Sequence, residues 1–253
     1  EMCISDRQYL LGHSSLADGL PQSQIWDLHQ DSRGFVWFAT YGGGVARFDG
    51  IDFEVLSTED GLLSNSVFKI HESGDGTLWF ATRTGVNRMV GGNITAVPGL
   101  DPRYKVYDLA EDASGRLWAA TESGAFVLRG GAFRPEGPAR NVPVLSLLSG
   151  RNGELWMGTS GSGMYRMLRG TWLHVGSKDG LPDNSVTALL ETRSGDVWVG
   201  TDQGASRWDG HAFETSGVSD GLTNNRFRAL LKLTRIHSSR RRLPTSSPAR
   251  YSA

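Results

Sequence analysis

Cysteine is almost missing from this chain. Cys3 is the only one, so no disulfide can close within it and the thiol says nothing about redox compartment. Charge of one sign is missing too. The 26 basic and 27 acidic residues leave a formal net charge of −1, so no global field draws the protein to nucleic acid or to an anionic membrane. No run approaches the ~18 apolar residues of a membrane-spanning helix. Nor is there an apolar stretch of any length with the 3.6-residue period, so helix is expected to be nearly absent. The chain opens on Glu1, not methionine, which suits a processed mature protein or an excised piece.

What is plentiful is glycine and tryptophan, 33 and eight residues respectively in 253. Glycine at that level without a Gly-x-y period fits many short strands joined by tight turns. The tryptophans are periodic. Trp37, Trp79, Trp118, Trp156 and Trp198 recur at spacings of 42, 39, 38 and 42. Each stands in one frame: VWFAT (36–40), LWFAT (78–82), LWAAT (117–121), LWMGT (155–159) and VWVGT (197–201). Three residues before each is a glycine: Gly34, Gly76, Gly115, Gly153 and Gly195. Upstream, Asp-Gly-Leu begins at Asp18, Asp60, Asp179 and Asp220. A repeat of about forty residues of this kind marks a repetitive architecture.

Each unit reads as four strands. The first is apolar, as in 66–70 or 185–190, and a turn ending in glycine follows, as in Asp31-Ser32-Arg33-Gly34, with the glycine at positive φ. The second strand carries the tryptophan in period-2 alternation. A further glycine turn leads to the third strand, 45–48 or 205–208, and an Asp-Gly turn to a fourth around Phe53 or Phe213. One four-stranded sheet cannot bury both faces, whereas radially packed copies can and leave only short edges. The expected fold is therefore all-β, a β-propeller of four-stranded blades. It has five complete blades near 18–59, 60–99, 100–138, 139–178 and 179–219, a partial sixth at 220–231, and an N-terminal outer closing strand at 8–14. The five tryptophans are structural and pack between blades, each contributing a gross ~4–6 kcal/mol of burial. The repeat fails where Ile236 and Ser239 replace the glycine and tryptophan. Residues 232–253 hold six Lys/Arg and no Asp/Glu, and read as a basic, disordered or aberrant tail.

The pattern DGLPDNSVTALLETRSGDVWVGT of residues 179–201, with Asn184-Ser185-Val186 and the Gly-x-Val/Leu-Trp-x-Gly/Ala-Thr core, resembles the two-component regulator propeller repeat. The resemblance spans residues 8–231. It weakens at units three and four, which have Leu100-Asp101-Pro102 and Ala139-Arg140-Asn141 in place of Asp-Gly-Leu. It implies the periplasmic or extracellular sensor region of inner-membrane receptors whose later segments are a membrane helix and a histidine kinase or diguanylate cyclase. Signal output would then lie outside this chain, which itself would be no enzyme.

Propellers bind at the mouth of the central channel, where loops from every blade converge. Aligning the units puts Gln24, Ser66, Lys105, Pro143, Ser185 and Arg226 at one position entering the first strand. Tyr41, Arg83, Glu122, Ser160 and Asp202 begin the loop after the second. As a ring these residues are neutral to cationic and rich in hydrogen-bonding groups, which suits a small-molecule or saccharide ligand, a sugar or a small acid. The entry position holds no Asp, Glu or His, so neither a metal nor a cofactor is called for, and catalytic residues are expected to be none. His29 and His71, equivalent in adjacent units, are expected to be exposed polar residues at the far end of the first strand. Two other classes remain open: a protein-interaction scaffold, and a propeller lyase or glycan hydrolase. For the latter, residues 31–37 resemble the aspartate-box hairpin of sialidases, but Asp31 lies three residues before Gly34 where two are needed. The partners implied are the small ligand and, through the full-length receptor, a second copy; nucleic acid is not among them.

Overall fold

The computed structural model describes residues 19–217. The closing strand expected at 8–14, the partial sixth blade with Arg226, and the basic tail lie outside the described residues. Within them the chain folds into five four-stranded antiparallel sheets. The first sheet holds β1 (Ile25–Gln30), β2 (Val36–Thr40), β3 (Val45–Phe48) and β4 (Phe53–Leu56), in that order. The other four repeat it from Val67 to Val97, Val106 to Arg140, Val144 to Val175 and Val186 to Ser216. The helical content described amounts to two single 3₁₀ turns, Thr58–Asp60 and Ser177–Asp179. The protein is an all-β propeller.

The repeated letters each have a mechanical task. In the turn before the second strand, Gly34 adopts φ 95°, a left-handed conformation that side chains resist. The threonine ending each second strand is buried and donates across the following turn. Thr40 Oγ1 reaches the Gly44 carbonyl at 2.8 Å and Thr121 Oγ1 that of Gly124 at 2.8 Å. Asp-Gly-Leu forms the 3₁₀ turn itself. Asp60 accepts the Ser57 amide at 2.8 Å, Gly61 takes φ 104°, and Leu62 plugs the core. Unit three lacks the aspartate, yet Gly99 keeps φ 104° and Leu100 packs against the neighbouring core.

Each tryptophan faces the next blade. Trp37 packs with Ile70, Leu78 and Phe80, its ring centroid 5.9 Å from that of Phe80. Trp37, Trp79, Trp118 and Trp156 are between 0% and 7% exposed. Trp198 is only half-buried, because no described blade follows the fifth. The matching gap is on blade one. Leu28 is 60% exposed, whereas its counterparts Ile70, Leu109 and Leu147 are 2%, 3% and 6% exposed under the preceding blade.

Glutamate staples also cross three of the four seams between described blades. Glu72 accepts the Ser32 amide at 2.8 Å and the Ser32 hydroxyl at 2.7 Å, and Glu191 accepts the Arg151 amide at 3.2 Å. Glu111 accepts the Ser73 hydroxyl. The indole N–H groups of Trp37, Trp79 and Trp118 donate to Asp31, Ser73 and Asp112, the first residues of their turns, at 3.0, 2.7 and 2.8 Å. Contrary to the expectation from sequence, His29 and His71 are not exposed. They lie opposite Trp37 and Trp79, with Nε2 atoms 3.7 and 3.8 Å from Glu72 and Glu111. They share the face that carries the tryptophan, which the next blade covers.

Candidate functional site in the central channel

The first strands line the channel, and every one carries a β-bulge at the same place. In blade one Ile25 pairs with Thr40 and Asp27 with Ala39, which leaves Trp26 without a partner. The same register shift singles out Phe68, Tyr107, Leu145 and Thr187. A bulge breaks the two-residue alternation and re-aims the extra side chain. Here it turns all five toward the channel, where they line a cavity of about 370 Å³. The next residues along, Asp27, Lys69, Asp108, Ser146 and Ala188, complete its wall together with Leu189.

The upper level is largely aromatic. The rings of Trp26 and Phe68 meet edge to face with centroids 5.3 Å apart. Phe68 and Tyr107 are tilted at 6.2 Å, and Tyr41 extends the arc with its ring 6.3 Å from Trp26. Trp26 is 48% exposed, a large apolar surface left uncovered at a cavity mouth. The Tyr107 hydroxyl donates to Glu122 at 3.0 Å. Burial and that carboxylate push the phenol up to about 12, so it stays a donor.

The lower level is polar. Lys69 Nζ lies 3.4 Å from Asp27 Oδ1 and 3.9 Å from Asp108 Oδ1. Each aspartate spends its other oxygen on the next blade: Asp27 accepts the Ile70 amide at 2.9 Å and Asp108 the Leu147 amide at 2.8 Å. Burial opposes the Lys69 ammonium, but Asp108 and Asp27 overcome it and hold the group above its ordinary range. Burial pushes Asp108 up, against the attraction of Lys69 and the amides of Leu147 and Leu109. Ser146, 5% exposed, has a hydroxyl with no hydrogen-bond partner among the described residues.

The ring read from the sequence lies outside the lining of this cavity. In each blade its two positions are joined by one backbone bond. Tyr41 donates to Gln24 at 3.1 Å, Arg83 to Ser66 at 3.0 Å, Glu122 to Lys105 at 3.2 Å, Ser160 to Pro143 at 2.9 Å and Asp202 to Ser185 at 3.3 Å. Lys105 and Glu122 also meet through their side chains, Nζ to Oε1 at 3.2 Å, while Gln24 and Arg83 are exposed. The cavity wall itself begins two residues further along each first strand. Its charge also differs from that of the ring, since two aspartates and one lysine face the lumen. Sequence reasoning passed over Trp26, Phe68 and Tyr107; their signal was an aromatic at one position of three consecutive units. Among the described residues no group of three His, Cys, Asp or Glu side chains is placed to hold a metal ion.

A β-propeller with an aromatic-rimmed polar cavity on its axis is the class the described residues define. Two component regulator propeller repeats match the chain at residues 19–42, 61–84, 100–123 and 180–203. Unit four falls outside those matches. Among solved structures the chain is similar to the extracellular domain described as that of a hybrid two component system, BT3049, from B. thetaiotaomicron. The TM-score is 0.70 at 22% identity, over 80% of this chain and 30% of that one. A second B. thetaiotaomicron extracellular domain, BT4673, matches with TM-score 0.66 at 21% identity, over 74% of this chain and 27% of that one. Virginiamycin B lyase from Staphylococcus aureus shares the fold, with TM-score 0.66 at 15% identity, over 82% of this chain and 73% of that one. The chain thus spans less than a third of the two B. thetaiotaomicron structures. No curated protein sequence matches it.

Proposed function

We propose that this chain is the ligand-sensing propeller of a bacterial two-component or cyclic-di-GMP signalling receptor, and that it binds a small molecule or saccharide at the channel mouth. The observation that carries this reading is the row of five bulges. Bulges interrupt a strand ladder, and these five place Trp26, Phe68, Tyr107, Leu145 and Thr187 on one cavity. An aromatic of that size left half-exposed in a concave site suits ligand contact. The repeat and the extracellular domains it resembles support a place on the periplasmic or extracellular face, with the membrane reached through other segments of the receptor. Kinase or cyclase output, and dimerisation, would belong to those segments. A thermal-shift screen of saccharides, amino acids and small organic acids tests the reading. At least one compound should raise the melting temperature of the native chain and lose that effect in Trp26→Ala. A screen without a Trp26-dependent hit leaves the scaffold reading in its place.

A further inference from the structure

Charge and hydrogen-bond capacity at the lower level of the cavity restrict what can enter it. Two carboxylates and one ammonium face the lumen, and Lys69 sits between Asp27 and Asp108. An anion entering there meets one cation already flanked by two carboxylates that repel it. A cation meets Lys69, which occupies the place between the aspartates. The carboxylate oxygens are held by backbone amides and by Lys69. The lysine is less engaged. It has one contact within hydrogen-bond range, the 3.4 Å bond to Asp27. Directly above, Trp26, Phe68 and Tyr107 offer ring surface to an apolar face.

We infer that the cavity takes an uncharged sugar ring and rejects the corresponding uronic acid. Lys69 donates to ring hydroxyl oxygens, and the three aromatics cover the C–H face. The volume of about 370 Å³ lies near the small end of ligand cavities, which fits a terminal unit and not a run of sugars. This rests on the channel being the sensor site, and it adds the sign of charge that the site selects.

The test is calorimetric titration of the native chain at pH 7.5 with matched pairs, galactose against galacturonate and glucose against glucuronate. Glutamate, succinate and glucosamine complete the set. In at least one pair the neutral member should bind at least tenfold tighter than its acid. Trp26→Ala should weaken that binding several-fold. Asp108→Asn, which keeps an oxygen for the Leu147 amide, should narrow the gap between neutral sugar and acid by lowering the negative charge. Melting curves of both variants without ligand establish that they fold. A uronate binding as well as its neutral partner overturns the inference, as does a neutral preference that neither variant alters. Binding of glutamate, succinate or glucosamine alone overturns it while leaving the sensor reading standing. Silence from all seven probes, together with a failed thermal-shift screen, removes both.

Discussion

The indole nitrogen of Trp156 lies 3.4 Å from where a Cβ on Gly150 would stand, and it donates to no group among the described residues. Gly150 occupies the turn position filled by Asp31, Ser73 and Asp112 in the first three blades, whose side chains receive the indole proton. Blade four therefore buries a donor that its siblings satisfy.

Replacing Gly150 with serine should restore the bond. A Cβ there would meet its neighbours at ordinary van der Waals distances, and the residue is not at positive φ. A recovered hydrogen bond contributes about 1 kcal/mol, with a further few tenths from a stiffer unfolded chain. The melting temperature should rise by ~2–4 °C for a domain of this size. An unchanged or lower value in differential scanning calorimetry counts against the staple.

Asp112 is the acceptor in blade three. It receives the Ser114 and Arg116 amides at 2.9 and 3.1 Å, the Ser114 hydroxyl at 2.6 Å and the Trp118 indole at 2.8 Å. Burial works against its charge, but the bonds from Ser114, Trp118 and Arg116 prevail and lower it from 3.8 to about 2. A carboxylate held below its unfolded value stabilises the fold above that value. Its contribution, about 2 kcal/mol, is therefore present above pH ~4 and disappears as pH falls through about 2. In Asp112→Ala the native chain should lose roughly 3 kcal/mol at neutral pH and show a flatter acid limb in urea titrations.

His71 acts at milder pH. Burial lowers its affinity for a proton; Glu111 opposes this, while Lys69 and His29 reinforce it. The unfolded chain thus binds the proton more readily than the fold, so stability present above pH ~6.5 declines as pH falls below it. His71→Gln should flatten the urea-midpoint profile between pH 7.5 and 5.5. An identical slope in the variant would assign the decline to another group.

Equivalent positions should respond unequally at the ends of the blade row. Ile70→Ala should cost about 2–4 kcal/mol, since it empties a packed seam. Leu28→Ala, at the same place in blade one, should stay within about 0.5 kcal/mol. Equal losses in urea denaturation would mean that Leu28 is covered in solution.

Much of this fold was legible because its rules are local. The second strands, the glycine turns and the tryptophan frame each depend on a few neighbouring residues, and the bounds 36–40 and 197–201 read directly as strands. The channel wall was not legible. Its residues are chosen by a bulge, one extra residue that reverses the inside–outside order for the rest of the first strand, and no turn residue or proline marks where it falls. Alignment of the units therefore reached Gln24, Ser66 and Lys105 and stopped two residues short of Trp26, Phe68 and Tyr107. The environment of His29 and His71 was hidden for a different reason. Their burial comes from the neighbouring blade, some forty residues away.

The glutamate staples have a direction, opposite to that of Asp27 and Asp108 in the channel. Glu72, Glu111 and Glu191 each reach back to a turn of the blade before, never to one made later. During synthesis, which runs from the N-terminus, a newly emerged blade thus finds the amide or hydroxyl it needs already in place. Assembly of the row can keep pace with the ribosome blade by blade, and the sticky face waiting for its successor is only ever one blade wide.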